Sequence, residues 1–312
     1  MERQILVPLD GSPGAEQALP HAIQLARATA SNLHLTQVVG PVISPPSLAW
    51  PVPAPVNVQR WTEALRLEAH RYLDALALRL HAEGVKARTS VLVGDPAAEI
   101  VRLAAEEAGI RTIAMATHGS GGLTRLRFGS VAKTILPMTP VPLLLVRVKA
   151  AAQPAEAKPW IGAPRPRTIL LPLDGSDCAE QALADAQQLG RRSGAALVLT
   201  AIAEPMPVLA GGGDAADEAA RARHRLATYL EHVAARLQRA GSTARIHVGE
   251  GDPAAMICAA ASEERADLIV MGTHGRSRFQ RFLLGSVALG VSAHTDVPVL
   301  LIRAEAERGH GA

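Results

Sequence analysis

The stretch Ile5-Leu6-Val7-Pro8-Leu9-Asp10-Gly11-Ser12 returns as Ile169-Leu170-Leu171-Pro172-Leu173-Asp174-Gly175-Ser176. An apolar run that stops at an acidic residue followed by Gly-Ser reads as a buried strand breaking into a turn. Each copy continues into the same Ala-Glu-Gln-Ala-Leu, at Ala15–Leu19 and Ala179–Leu183. Further on, Gly94-Asp95-Pro96-Ala97-Ala98 matches Gly251-Asp252-Pro253-Ala254-Ala255, and Thr117-His118-Gly119 matches Thr273-His274-Gly275. Gly129-Ser130-Val131-Ala132 matches Gly285-Ser286-Val287-Ala288. The order is kept and the spacing nearly so. A repeat of about 150 residues is too long for a solenoid unit, so the chain reads as two copies of one domain.

The remaining patterning fills in each copy. Strands are expected at Gln4–Leu9, Asn32–Val39, Lys86–Leu92, Arg111–Ala116 and Val141–Arg147, then again at Thr168–Leu173, Ala195–Ala203, Thr243–Val248, Asp267–Met271 and Val297–Ile302. Helix-period segments lie between them, at Gly14–Ala30, Val58–Glu83, Pro96–Ala108 and Gly129–Leu136 in the first copy. Strands alternating with helices predict an α/β fold, two tandem doubly wound five-stranded parallel-sheet domains. Asp95-Pro96 and Asp252-Pro253 predict an Asp N-cap with proline in the first helical position. The boundaries are set at 1–149 and 167–304, with a Pro- and Ala-rich linker over 150–166 and a tail over 305–312. After the second strand the first copy carries a proline-laden loop, Gly40 to Pro55, and the second a shorter acidic, glycine-rich one, Glu204 to Asp217.

Composition narrows the function. Of 312 residues, 48% are hydrophobic and only 3% aromatic, which predicts an aliphatic core of the kind a buried parallel sheet uses. A net charge of +3 spread over this length, without a basic run interleaved with aromatics, argues against nucleic-acid binding. No apolar run reaches membrane-spanning length and the first strand begins near Met1, so a cytoplasmic protein without a leader or membrane anchor is expected. Cys178 and Cys258 have no counterparts in the first copy and read as small apolar helix residues. The histidines are scattered and no His-x-x-x-His or Cys-x-x-Cys spacing occurs, so no metal centre is expected.

Ligands of open α/β sheets bind at the carboxyl ends of the strands. Asp10 and Asp174 end the first strands, where a carboxylate can accept from a ribose hydroxyl or cap a turn. The fourth strand of the second copy ends Met271-Gly272-Thr273-His274-Gly275. After a polar stretch with three arginines, Gly285-Ser286 opens a helix. Glycines let backbone approach a ligand closely, and a Gly-Ser helix start offers free N–H groups, a hydroxyl and the positive dipole end to an anion.

These segments resemble the universal stress protein family. Gly272-x2-Gly275-x9-Gly285-Ser286 is similar to its nucleotide-binding signature, and the Pro-Leu-Asp-Gly-Ser opening, Gly-Asp-Pro turn and Val-Pro-Val-Leu-Leu-Ile strand resemble the family too. The resemblance implies a tandem member that binds adenine nucleotide, ATP or AMP, with Mg²⁺ where the ligand is ATP. It implies a second-copy site of Pro172, Asp174, Ile202, Met271, Gly272, Gly275, Arg276, Gly285, Ser286 and Val287. The first-copy equivalents are Pro8, Asp10, Val38, Ala116, Gly119, Gly129, Ser130 and Val131. It further implies pairing of Pro142–Arg147 with Pro298–Arg303 into an internal pseudo-dimer. A homodimer and a protein partner of unknown identity also follow from it.

The first copy departs from the pattern. Ala116 stands where the first glycine belongs, so its methyl is expected to block the backbone approach or to demand an unfavourable φ. Ser120-Gly121-Gly122 replaces Arg276-Ser277-Arg278 and removes positive charge. The expected outcome is an intact second site and a weak or absent first one. No carboxylate lies between Gly272 and Ser286 and no GxxxxGK[ST] loop occurs, so at most slow ATP hydrolysis is expected. The rival reading is a nucleotide-independent interaction module.

Overall fold

The computed structural model describes residues 2–40, 58–118, 128–148, 165–204, 215–273 and 285–303. The chain divides into two compact units, one comprising Met1–Pro140 and Val148–Gly162, the other Val141–Arg147 and Ala163–Ala312.

In the first unit, strands β1 (Gln4–Pro8), β2 (Asn32–Val39), β3 (Ala87–Val93) and β4 (Ile110–Ala116) run parallel in the order β3-β2-β1-β4. Helices α1 (Pro13–Glu16), α2 (Ala18–Thr29), α3 (Val58–Ala82), α4 (Pro96–Glu106) and α5 (Ser130–Met138) join or follow them. The expected first helix is divided at Gln17, which has αR backbone and no side-chain cap.

The second unit repeats the plan with β6 (Thr168–Pro172), β7 (Ala196–Ala203), β8 (Ala244–Glu250), β9 (Leu268–Gly272) and β10 (Val299–Ile302). Its helices are α6 (Asp177–Ser193), α7 (Ala215–Arg239), α8 (Pro253–Glu263) and α9 (Ser286–His294). The order β8-β7-β6-β9-β10 is parallel throughout. Strand β5 (Leu143–Val146), which belongs to the first copy by sequence, sits in this unit and pairs antiparallel with β10, Leu144 opposite Leu300. Arg147 closes that edge with an ion pair to Asp296 and a hydrogen bond to the His294 carbonyl.

The strands form where β-branched and leucine residues run without polar interruption, and they are buried. Leu6, Val7, Leu170 and Leu171 are fully covered. In each unit the chain leaves its first strand outward on one side and returns to pair on the other. The carboxyl ends of β1 and β4, and of β6 and β9, therefore frame a topological switch point. The expected caps are present: Asp95 accepts from the Ala98 N–H at 2.9 Å and Asp252 from the Ala255 N–H at 2.8 Å. Both cysteines are free and helical, on α6 and α8. Among the described residues, no helix is long and apolar enough to cross a membrane and no group of three metal-ligating side chains comes together.

One polar chain runs through the first unit. His34 on β2 is buried. Its Nε2 donates to Ser90 Oγ at 2.8 Å, and Arg88 donates to its Nδ1 at 2.9 Å. Burial, reinforced by the Arg88 charge and opposed by Glu107, lowers its pKa from 6.5 to about 4. A neutral folded histidine that charges readily when unfolded contributes stability above pH 6.5 and loses it as pH falls toward 4. That loss is expected to reach at most roughly 3 kcal/mol. Val198 holds the matching place in the second unit, since His34 pairs with Leu6 and Val198 with Leu170. Denaturant unfolding of His34→Val at pH 7 and pH 4.5 should show a smaller acid loss than the parent chain. An equal loss would assign the acid sensitivity to other groups.

Candidate functional site

The two ends of the loop that follows the fourth strand are tied by backbone. Gly285 N–H donates to the Thr273 carbonyl at 2.8 Å, and Gly129 N–H to the Thr117 carbonyl at 2.7 Å. A Cβ on Gly129 would stand 3.2 Å from that carbonyl, so a side chain there would crowd the junction. The ties set the first turns of α9 and α5, whose N–H groups have no partner within the helix, beside the ends of β9 and β4.

In the second unit a cavity of about 890 Å³ opens at the carboxyl ends of the strands. Its wall includes Pro172 and Asp174 after β6, Ile202 on β7, and Met271 and Gly272 on β9. Gly285, Ser286 and Val287 come from the start of α9. Eight of the ten residues expected from sequence thus meet on one cavity, while Gly275 and Arg276 lie outside the described residues. In the first unit Pro8 ends β1, Asp10 follows it, Val38 lies on β2 and Ala116 ends β4. Gly129, Ser130 and Val131 start α5. Gly119 is also outside the described residues.

The Asp-Gly-Ser turns carry two functions at once. Ser12 and Ser176 are the N-caps, accepting from the N–H of Ala15 and Ala179. Asp10 and Asp174 hold the turn beneath, each accepting from the N–H two residues on at 3.0 Å. Gly11 and Gly175 have φ of +81° and +77°, the left-handed conformation that glycine alone adopts without strain. Asp174 also faces the cavity.

Several cavity residues escaped the sequence reading. Arg225, Leu226 and Tyr229 of α7 line it. Tyr229 donates to Glu180 at 2.8 Å, and Arg236 holds the other oxygen of that carboxylate at 2.8 Å. Burial, with Glu180 and Asp174 nearby, raises the Tyr229 hydroxyl pKa well above its usual value. The first unit repeats the pair as Tyr72 donating to Glu16 at 3.0 Å. Thr200 also lines the cavity, fully buried, and its hydroxyl has no hydrogen-bond partner among the described residues. Its counterpart Thr36 is engaged on both sides by Ser90, whose position in the second unit is taken by His247. A repeat-by-repeat comparison of the second and third strands would have exposed this difference.

A sequence profile of the universal stress protein family matches residues 1–147 and again 166–303. The chain belongs to the universal stress protein family. A universal stress protein of Mycolicibacterium smegmatis is 25% identical over 97% of this chain and 97% of its own length. One from Methanocaldococcus jannaschii is 32% identical over 46% of this chain and 82% of its own. Among solved structures, a universal stress protein from Archaeoglobus fulgidus superposes with a TM-score of 0.67 at 20% identity, covering 96% of both chains.

Within this tandem universal stress protein the contrast between Ala116 and Gly272 has a packing cause. Neither residue has positive φ, so the expected backbone penalty at Ala116 does not arise. A Cβ on Gly272 would stand 2.5 Å from Cys178 Sγ and 3.2 Å from both the Cys178 Cβ and its carbonyl carbon. Turning the thiol away relieves the first contact and leaves the other two. In the first copy the residue matching Cys178 is Gly14, which carries no side chain. At these two matched positions each copy thus carries one glycine and one larger residue. Gly272→Ala should cost about 1–3 kcal/mol by overpacking. Adding Cys178→Gly should recover part of that loss, a coupling visible in a double-mutant cycle of urea unfolding. Strict additivity of the two changes would refute the exchange.

Proposed function

We propose that the second copy binds an adenine nucleotide, ATP or AMP, and that binding regulates the protein's part in the stress response. The observation that carries this reading is the convergence of Pro172, Asp174, Ile202, Met271, Gly272, Gly285, Ser286 and Val287 on one cavity. Its volume suits a small-molecule ligand. Asp174 is an acceptor for ribose hydroxyls, while Ile202, Met271 and Leu226 supply apolar wall for the base. The first turn of α9 supplies N–H groups and a favourable dipole for phosphate oxygens, with Arg225 as a nearby cation. Mg²⁺ would enter as the counter-ion of ATP phosphates.

The asymmetry between copies is part of the proposal, on grounds other than Ala116. The buried Thr200 hydroxyl has no hydrogen-bond partner among the described residues, whereas the Thr36 hydroxyl is engaged by Ser90. The arginines Arg276 and Arg278 also have no counterparts in Ser120-Gly121-Gly122. We also propose the internal pseudo-dimer of the two copies, which the antiparallel β5–β10 ladder supports.

Calorimetric titration of the full chain with ATP and Mg²⁺ should give one site per chain. Thr200→Val should weaken it by roughly 3- to 10-fold, the worth of one neutral hydrogen bond. The paired change Cys178→Gly with Gly272→Ala should retain binding, because it installs the first copy's packing without removing a ligand contact. Two equivalent sites would overturn the asymmetry. No heat with ATP or AMP would turn the reading toward a nucleotide-independent module.

A further inference from the structure

Helix α3 presents an apolar face to solvent. Trp61, Leu67 and Leu78 are 59%, 51% and 70% exposed. The core side of the same helix is separate and ordinary: Ala69, Leu73, Leu76, Ala77 and Leu80 are buried. Along the outer side, Trp61, Ala64, Glu68, Arg71, Ala75 and Leu78 are all exposed and follow one another at alternating intervals of three and four. That spacing is the seam of a two-stranded coil.

The fold does not demand this face. Helix α7 occupies the same place in the second unit, with Tyr229 matching Tyr72 and Leu230 matching Leu73. Where α3 has Trp61, Ala64 and Ala75, α7 carries Glu218, Arg221 and His232. One copy thus keeps a polar exterior, and the other replaces it with an apolar seam bearing a single central pair of opposite charges. Glu68 and Arg71 have no hydrogen-bond or ion-pair partner among the described residues.

We propose that this face is a self-association surface on which a second copy of the chain docks its own α3 antiparallel. The seam is palindromic about the point midway between Glu68 and Arg71. An antiparallel partner sets Trp61 against Leu78 of the partner subunit and Ala64 against Ala75 of the partner subunit. It also sets Glu68 against Arg71 of the partner subunit, and the dyad repeats every pair. The small alanines permit close approach, the large apolar ends are covered, and both central charges find opposite partners. A parallel arrangement would instead face Glu68 with Glu68 of the partner subunit and Arg71 with Arg71 of the partner subunit. This is the self-complementary geometry of a two-fold interface, and it does not depend on the nucleotide reading.

The test is charge exchange on the full-length chain, read as mass by sedimentation equilibrium. Both sites are exposed, so the variants should fold, as circular dichroism would verify. Wild type should be dimeric. Glu68→Arg alone and Arg71→Glu alone each place like charges across the dyad and should weaken dimerisation by about tenfold or more. The double exchange Glu68→Arg/Arg71→Glu restores opposite charges and should restore the dimer. A wild-type monomer would overturn the proposal and give the face another occupant, such as the chain's own residues 41–57. A dimer indifferent to the single changes would place the interface elsewhere. Loss in the singles without rescue in the double would reject the antiparallel register.

Discussion

A single backbone hydrogen bond in each unit, from the glycine that caps the last helix to the carbonyl just past the fourth strand, organises the carboxyl end of the sheet. It draws the end of a buried strand and the start of a helix to within one peptide of each other. The helix then starts beside the strand end, with its unpaired N–H groups at the switch point. A Cβ at the first unit's donor, Gly129, would crowd the accepting carbonyl at 3.2 Å. The same Gly-Ser start and the same bond recur in both copies.

The elements were largely legible in the sequence because their signals are local. Apolar runs of strand length, Asp-Pro helix starts and the Asp-Gly-Ser turn each depend on a few adjacent residues. The observed strands begin and end within about two residues of the expected positions, which is the ordinary uncertainty of element ends. The convergence of strand ends on one cavity was legible too, because parallel topology dictates it.

What stayed hidden depends on residues far apart in the chain. Tyr229 and Glu180 are separated by 49 positions, and nothing in either neighbourhood announces the contact. The exchange of Gly14 and Ala116 for Cys178 and Gly272 is a harder case. Read along the chain, Ala116 looked like damage to a binding motif. At the α6–β9 crossing of the second copy, Gly272 lies so close to Cys178 that a methyl there would crowd it, whatever the site binds. A motif glycine can thus be held by packing as well as by a ligand, and its loss in one repeat says little about binding until its neighbour is known.

The position of β5 bears on how the chain is made. Leu144 and its ladder partner Leu300 are 156 positions apart, so during synthesis β5 leaves the ribosome long before β10 exists. At about 5–20 residues per second that interval is on the order of ten to thirty seconds. For that time a strand of Leu-Leu-Leu-Val lacks its antiparallel neighbour, and such an edge invites pairing with other nascent chains. Pro140 and Pro142 just before it and Arg147 just after it are the residue types that discourage such encounters. Completion of the β5–β10 ladder accordingly waits on translation of the second half.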